Sequence, residues 1–137
     1  MKNSFHLSLP CSDIKETKKF YTENIGAALG RYSNNWIDIN LIEHQITITQ
    51  AGKFNFNNPN YVFEGKILPS FHFGIILDPD TWRAIYSKLN GLNLELVMQT
   101  TFLENKPGEH MSFFVKDPNG YMLEFKCFND PGDIFNA

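Results

Sequence analysis

The chain is short of several things, and each shortage removes a class of function. It has two cysteines, Cys11 and Cys127, without paired spacing; that suits small, inert thiols in a reducing compartment better than a disulfide framework. Its formal net charge is only −3 and no basic stripe occurs, whereas nucleic-acid binding draws on clustered Lys and Arg against phosphate. It has no apolar run of about 20 residues, the length a membrane span requires. Met1-Lys2-Asn3-Ser4 leads into a short alternating run, not a signal-peptide core. The expectation is a cytoplasmic protein with neither a nucleic-acid nor a membrane partner.

What the chain does hold is hydrophobic and aromatic. Hydrophobic residues make up 42%, charged residues 20% and aromatics 15%, with 13 Phe, the composition of a globular protein with ring-rich packing. Its 137 residues suit one domain, residues 1–137, and are too few for two ordinary domains with separate large cores.

Residues 4–10 alternate and read as a strand. Ser12-Asp13 then opens a helix with Asp13 and Glu16 at capping-box spacing, Ile14, Phe20, Tyr21 and Ile25 on one side, and Gly26 as a stop. Alternating runs at 36–41 and 45–49 read as a hairpin, with a short extra strand near 29–32. Residues 52–69 lack periodicity and read as a connecting loop. Its Phe54, Phe56, Tyr61 and Phe63 suit a lid over a ligand cavity or a plain cover for the core. From Phe71 the pattern restarts: a strand at 71–77, Asp78-Pro79 opening a helix with Trp82, Ile85, Tyr86 and Leu89 on one face, and a stop at Gly91. Strands at 94–99 and 111–116 follow, then the turn Asp117-Pro118-Asn119-Gly120 and a last strand at 121–128. The reading is an α+β fold of paired βαβββ modules, module one about 4–51 and module two about 70–128, joined by the loop about 52–69.

Two matching tripeptides sit in this repeat, Phe5-His6-Leu7 and Phe71-His72-Phe73, at an offset of 72 − 6 = 66 that also brings Phe20 onto Tyr86. Strand parity sets His6 and Ser8 opposite Phe5, Leu7 and Leu9, and sets Met122, Glu124 and Lys126 opposite Tyr121, Leu123 and Phe125. It also groups Gln45, Thr47 and Thr49 opposite Ile46 and Ile48. His6, His72 and Glu124 are thus the candidate metal ligands, and Ser8, Gln45, Thr47, Thr49 and Met122 the candidate cavity wall. A lone strand His is usually satisfied by a carbonyl or water. The matched pair favours metal binding, as does a Glu that would be costly to bury unpaired. Two His and one carboxylate with open positions are the donors of non-haem iron(II) sites, and some zinc sites use the same set. Iron(II) is the first expectation, with zinc, manganese or nickel open. His110, after Pro107-Gly108-Glu109, and Lys126, on the face of Glu124, are candidate catalytic groups. His44 reads as a solvated turn residue.

The layout, with His on the first strand of each half and Glu on the last, resembles the vicinal oxygen chelate superfamily. The stretches that carry the resemblance are His6-Leu7-Ser8-Leu9-Pro10 and Phe114-Val115-Lys116-Asp117-Pro118-Asn119-Gly120-Tyr121-Met122-Leu123-Glu124. That superfamily includes glyoxalase I, extradiol dioxygenases and the fosfomycin- and bleomycin-resistance proteins. The resemblance implies a U-shaped mixed sheet around a metal-site cavity, helices outside, usually in a homodimer, with His6, His72 and Glu124 as ligands. A fourth ligand of the glyoxalase I type would fall near Thr49, a poor ligand, which favours a three-donor site. The implied function is that of a divalent-metal enzyme whose small substrate chelates the metal through vicinal oxygens. Dioxygenase chemistry stands ahead of glyoxalase-like lyase or isomerase chemistry. The alternative is a non-catalytic drug- or antibiotic-binding protein of the bleomycin-resistance type.

Overall fold

The computed structural model describes residues 2–92, 94 and 96–136. The chain divides into two compact units, Met1–Phe56 and Asn57–Ala137.

In the first unit, β1 (His6–Cys11) leads into α1 (Ile14–Lys19), then β2 (Ala28–Tyr32), β3 (Trp36–Leu41) and β4 (His44–Gln50). Asp13 caps α1, its Oδ1 accepting from the Lys15 and Glu16 amides at 2.9 and 3.0 Å, which satisfies two of the otherwise orphaned N-terminal donors. The helix widens into a π turn over Phe20–Asn24, closed by the Ile25 amide on the Phe20 carbonyl at 3.0 Å. The apolar spacing suggested a regular helix. The wider turn buries neighbouring Phe20 and Tyr21 together with Ile25, the two rings meeting edge to face at 5.0 Å.

The strands order as β1-β4-β3-β2, with β1 parallel to β4 and the others antiparallel. Residues paired across strands share a face. One face therefore buries Leu9, Ile37, Ile39, Ile46 and Ile48. The other carries the rows His6–Gln45–Asn40 and Ser8–Thr47–Asp38, as the alternation in sequence implied.

The second unit opens with β5 (Asn60–Phe63) and β6 (Lys66–Pro69), an antiparallel hairpin inside the segment expected to be an irregular loop. Its turn residues Glu64 and Gly65 have φ of 48° and 73°, the left-handed pair that matches strand twist in two-residue hairpins. Of these two, Gly65 alone is a strong turn former, so the signal in sequence is faint. The hairpin is strapped to its own unit. Leu68 is buried with Phe102 and Phe114, against which Met98 and Met122 pack. Phe63 lies 5.5 Å from the Phe102 ring, and Glu64 accepts from the Leu103 amide at 2.8 Å.

The repeat then resumes with β7 (Phe73–Ile76), α2 (Pro79–Asn90), β8 (Leu96–Phe102), β9 (His110–Lys116) and β10 (Met122–Phe128), in the order β7-β10-β9-β8. Here too the first strand runs parallel to the last. Glu95, within the strand expected at 94–99, lies outside the described residues. Asp78 caps α2 through the Thr81 amide at 2.9 Å, with Pro79 in the first turn. Trp82 crosses to the sheet, its indole N–H donating to the Phe125 carbonyl at 2.9 Å. Phe113, Val115, Leu123 and Phe125 are fully buried. Among the described residues, no helix is long and apolar enough to cross a membrane.

Candidate functional site

His72 precedes β7 by one residue, and its ring is fixed by the end of the hairpin: Nδ1 stands 2.9 Å from the Pro69 carbonyl. A carbonyl only accepts, so Nδ1 carries the hydrogen and Nε2 of the neutral ring keeps its lone pair. That Nε2 lies 3.4 Å from Glu124 Oε2. Glu124, in the middle of β10, is 7% exposed. Its Oε1 accepts from the Ser112 hydroxyl at 2.8 Å, and Phe114 meets the His72 ring edge to face at 5.6 Å.

Two electron-pair donors facing one gap repel unless a cation stands between or beside them. Three cations suit it: a proton on Nε2, the Lys126 ammonium, 3.6 Å from the same Oε2, or a metal. Two ligands bound at about 2.1 Å to one tetrahedral ion stand about 3.4 Å apart, so the observed spacing fits half of a metal site. Within either unit, no third His, Cys, Asp or Glu among the described residues joins this pair to form a metal-holding group. His6 belongs to the first unit, where it is exposed on β1 beside Gln45.

Gly74 explains how Glu124 is seated. It pairs with Glu124 across the parallel strands, and a Cβ at Gly74 would lie 1.6 Å from the Glu124 carbonyl oxygen. Only a residue without a side chain lets the strands approach this closely.

The strand registers correct one expectation. Two residues after His72, Gly74 pairs with Glu124; two residues after His6, Ser8 pairs with Thr47. Thr47, not Thr49, is therefore the first-unit counterpart of Glu124. The resemblance had placed this position near Thr49, two residues further along the same strand. The Thr47 hydroxyl is engaged, donating to Asp38 Oδ1 at 2.7 Å.

Asp38 was not among the expected site residues. It is 5% exposed and accepts through Oδ2 from Gln45 Nε2 and Arg31 Nε, each at 3.1 Å, with Arg31 Nη2 also at 3.1 Å. Burial pushes its carboxyl up; hydrogen bonds from Thr47, Gln45 and Arg31, with the Arg31 charge, outweigh this and hold it below its ordinary value. The alternation Trp36-Ile37-Asp38-Ile39-Asn40 was the signal that could have found it, since it sets Asp38 opposite two isoleucines. Of the expected wall, Gln45 and Thr47 are half-buried on Asp38, while Ser8 and Thr49 are exposed. Met122 packs into the apolar cluster beneath the hairpin.

His110 is buried between the Phe102 and Phe128 rings, with centroids 5.3 and 5.0 Å away. Its Nδ1–H donates to the Gly108 carbonyl at 2.7 Å. It lines a cavity of about 240 Å³ with Arg83, Glu104, Glu109 and Cys127. Lys126, the other candidate catalytic group, is half-buried against Glu124 and extends over the Phe128 ring at 5.9 Å. His44 is half-buried at the start of β4, and its Nδ1 accepts from the Phe5 amide at 3.0 Å. Both cysteines are buried, and burial pushes the Cys127 thiol up, as the inert reading requires.

The model of the Glyoxalase/Bleomycin resistance protein/Dioxygenase superfamily matches residues 4–125. Among solved structures, a glyoxalase/bleomycin resistance protein/dioxygenase from Alicyclobacillus acidocaldarius is similar, with a TM-score of 0.82 at 23% identity over 97% of this chain and 96% of that one. A fosfomycin resistance protein from Listeria monocytogenes has a TM-score of 0.65 at 13% identity, covering 97% of this chain and 98% of its own. A virulence protein from Salmonella typhimurium has a TM-score of 0.60 at 21% identity, over 93% and 98%. At these identities the likeness is one of fold. No curated protein matches the chain.

Proposed function

The chain belongs to the Glyoxalase/Bleomycin resistance protein/Dioxygenase superfamily, and from that membership we propose a divalent-metal-dependent enzyme acting on a small substrate that chelates through vicinal oxygens. His72 and Glu124 are two of the ligands, with iron(II) the first candidate and zinc, manganese or nickel next. The single observation that carries the reading is His72 Nε2 facing Glu124 Oε2 at 3.4 Å, with the ring's other nitrogen tied to the Pro69 carbonyl. Such a bond behind a ligating His, fixing its tautomer and orientation, is the usual support of a metal site. Ser112 does the same for Glu124 by holding Oε1. When bound, a divalent ion supplies Lewis-acid polarisation of a substrate oxygen. Lys126, beside Glu124, is placed to offset negative charge on the substrate. Dioxygenase chemistry stands ahead of lyase or isomerase chemistry because of the donor set, and the working form is a homodimer.

A second reading is favoured by Lys126 itself. With an ammonium already 3.6 Å from Oε2, the carboxylate can be balanced without metal, as in a non-catalytic drug- or antibiotic-binding protein of the bleomycin-resistance type. Elemental analysis of protein purified without added metal separates the two. The enzyme reading expects near-stoichiometric metal in the wild type and little in His72→Ala. Equal metal in both, or ligand affinity undiminished by a chelating resin, moves the assignment to the binding protein.

A further inference from the structure

The polar face of the first unit holds a shallow hollow of about 360 Å³, lined by Arg31, Asp38, Asn40, Glu43, His44 and Gln45 among others. The charge of Asp38 is internally answered by Thr47, Gln45 and Arg31. Arg31 turns Nε and Nη2 toward Asp38 and its guanidinium lies 5.7 Å over the Trp36 ring. The group is thereby fixed in direction although its side chain is 78% exposed. Its remaining N–H groups point away from the carboxylate, because the five donors of a guanidinium lie in one rigid plane.

Two neighbours add donors. Asn40 spends its Oδ1 on the Glu43 amide at 2.7 Å, which leaves its NH₂ end for another partner. His44 accepts the Phe5 amide on Nδ1, so in the neutral ring its hydrogen sits on Nε2. Of the two carboxylates in the lining, Asp38 is paired with Arg31, and Glu43 is exposed, with its Oε2 3.5 Å from Lys2 Nζ. The hollow therefore offers the outward N–H groups of a fixed guanidinium and neutral N–H donors, while its buried acceptor is saturated.

We propose that this hollow binds the carboxylate of a small organic acid, with Arg31 as the anchoring group and Asp38 as the residue that positions it. A planar guanidinium matches a carboxylate through paired hydrogen bonds. With Arg31 paired to Asp38 and Glu43 in the lining, the hollow has no surplus positive charge, so one negative charge suits it better than two. The site lies in the same row of the sheet as His6, through His6–Gln45–Asn40, but it requires no metal and stands whether or not the metal reading does.

The test is a ¹H–¹⁵N NMR titration of protein stripped of metal on a chelating resin. The probes are pyruvate and benzoate, with inorganic phosphate and neutral benzamide as comparators. The Arg31 Nε–H signal and the Asn40 side-chain amide should move saturably with the carboxylates, at a dissociation constant of about 1 mM, and several-fold more weakly with phosphate. Arg31→Lys should weaken binding about tenfold, since it removes the fork. Asn40→Ala, which leaves every partner of Asp38 in place, should weaken it about threefold and carries the test if Arg31→Lys fails to fold. Phosphate binding as tightly as carboxylate, no saturable movement of the Arg31 signal, or wild-type affinity in Asn40→Ala would each overturn the proposal. Metal content is not read in this experiment, so its outcome is independent of the His72→Ala measurement.

Discussion

Gly74→Ala is the most informative single change to the second unit. The new Cβ would stand 1.6 Å from the Glu124 carbonyl oxygen, 2.6 Å from its carbon and 2.9 Å from the Glu124 amide nitrogen, where contacts under 3.0 Å essentially never occur. The atoms blocking it are backbone, so no side chain can swing aside. The strands must part by at least 3.0 − 1.6, about 1.4 Å, which takes hydrogen bonds of about 2.9 Å out of bonding range. Losing about two ladder bonds costs about 2 kcal/mol net, and the overpacking adds about 1–3 kcal/mol. The expected destabilisation is about 3–5 kcal/mol in urea unfolding. This is opposite in sign to the gain of about 0.4–1 kcal/mol that Gly→Ala gives where the backbone has room. Gly91→Ala, whose Cβ would meet nothing closer than 3.5 Å, is the comparator and should change stability by less than about 0.5 kcal/mol. The displacement also carries Glu124 off His72, so on the metal-enzyme reading the mutant should lose metal along with stability. A Gly74→Ala protein within about 1 kcal/mol of wild type would refute the close-approach argument.

Three further outcomes are expected. Asp38→Asn should cost about 2–3 kcal/mol at neutral pH, the range for hydrogen bonds to a charged group. Because the folded Asp38 carboxyl lies below its ordinary value of 3.8, the stabilisation is complete above that value and is lost as pH falls through the lower folded one; the gap between wild type and mutant should therefore close in acid and persist at pH 7. Glu64→Ala frees the Leu103 amide from its acceptor, and hydrogen exchange at Leu103 should accelerate while the core strands stay protected; unchanged exchange would show that the hairpin is held by Leu68 and Phe63 alone. Trp82→Phe leaves the buried Phe125 carbonyl without its indole donor and should cost about 1–3 kcal/mol in thermal or urea unfolding.

Much of the fold was legible in the sequence because its signals were local and redundant. Asp13 and Asp78 announced both helices, and both do cap them. The turn at 117–120 was visible, and Asp117 does fold it, accepting from the Asn119 and Tyr121 amides at 2.8 Å each. The β5–β6 hairpin escaped because its strands are four residues long and three of its large apolar groups, Tyr61, Val62 and Ile67, are more than 40% exposed. No burial pattern marks such a strand; the hairpin becomes evident only from Leu68 meeting Phe102 and Phe114, contacts 34 and 46 residues away in sequence.

The candidate site divides along the same line. Parity alone set Gln45 and Thr47 on one face and Glu124 and Lys126 on another, since a strand reverses its side chains at every residue. What each residue does there depends on the neighbouring strand. In the second unit Glu124 stands opposite Gly74, and the absent side chain brings its backbone close while its carboxylate faces His72 and Lys126. In the first unit the same register position is Thr47 opposite Ser8, and the carboxylate arrives one strand later, from Asp38, already answered by Arg31, Gln45 and Thr47. One scaffold thus yields two opposite electrostatic outcomes from nearly identical tripeptides. The second unit pairs two acceptors that call for a cation. The first saturates its carboxylate and leaves the far N–H groups of the paired guanidinium facing outward, the donors proposed for a carboxylate ligand. Duplication explains where the histidines stand, and cross-strand pairing decides the sign of what each half can bind.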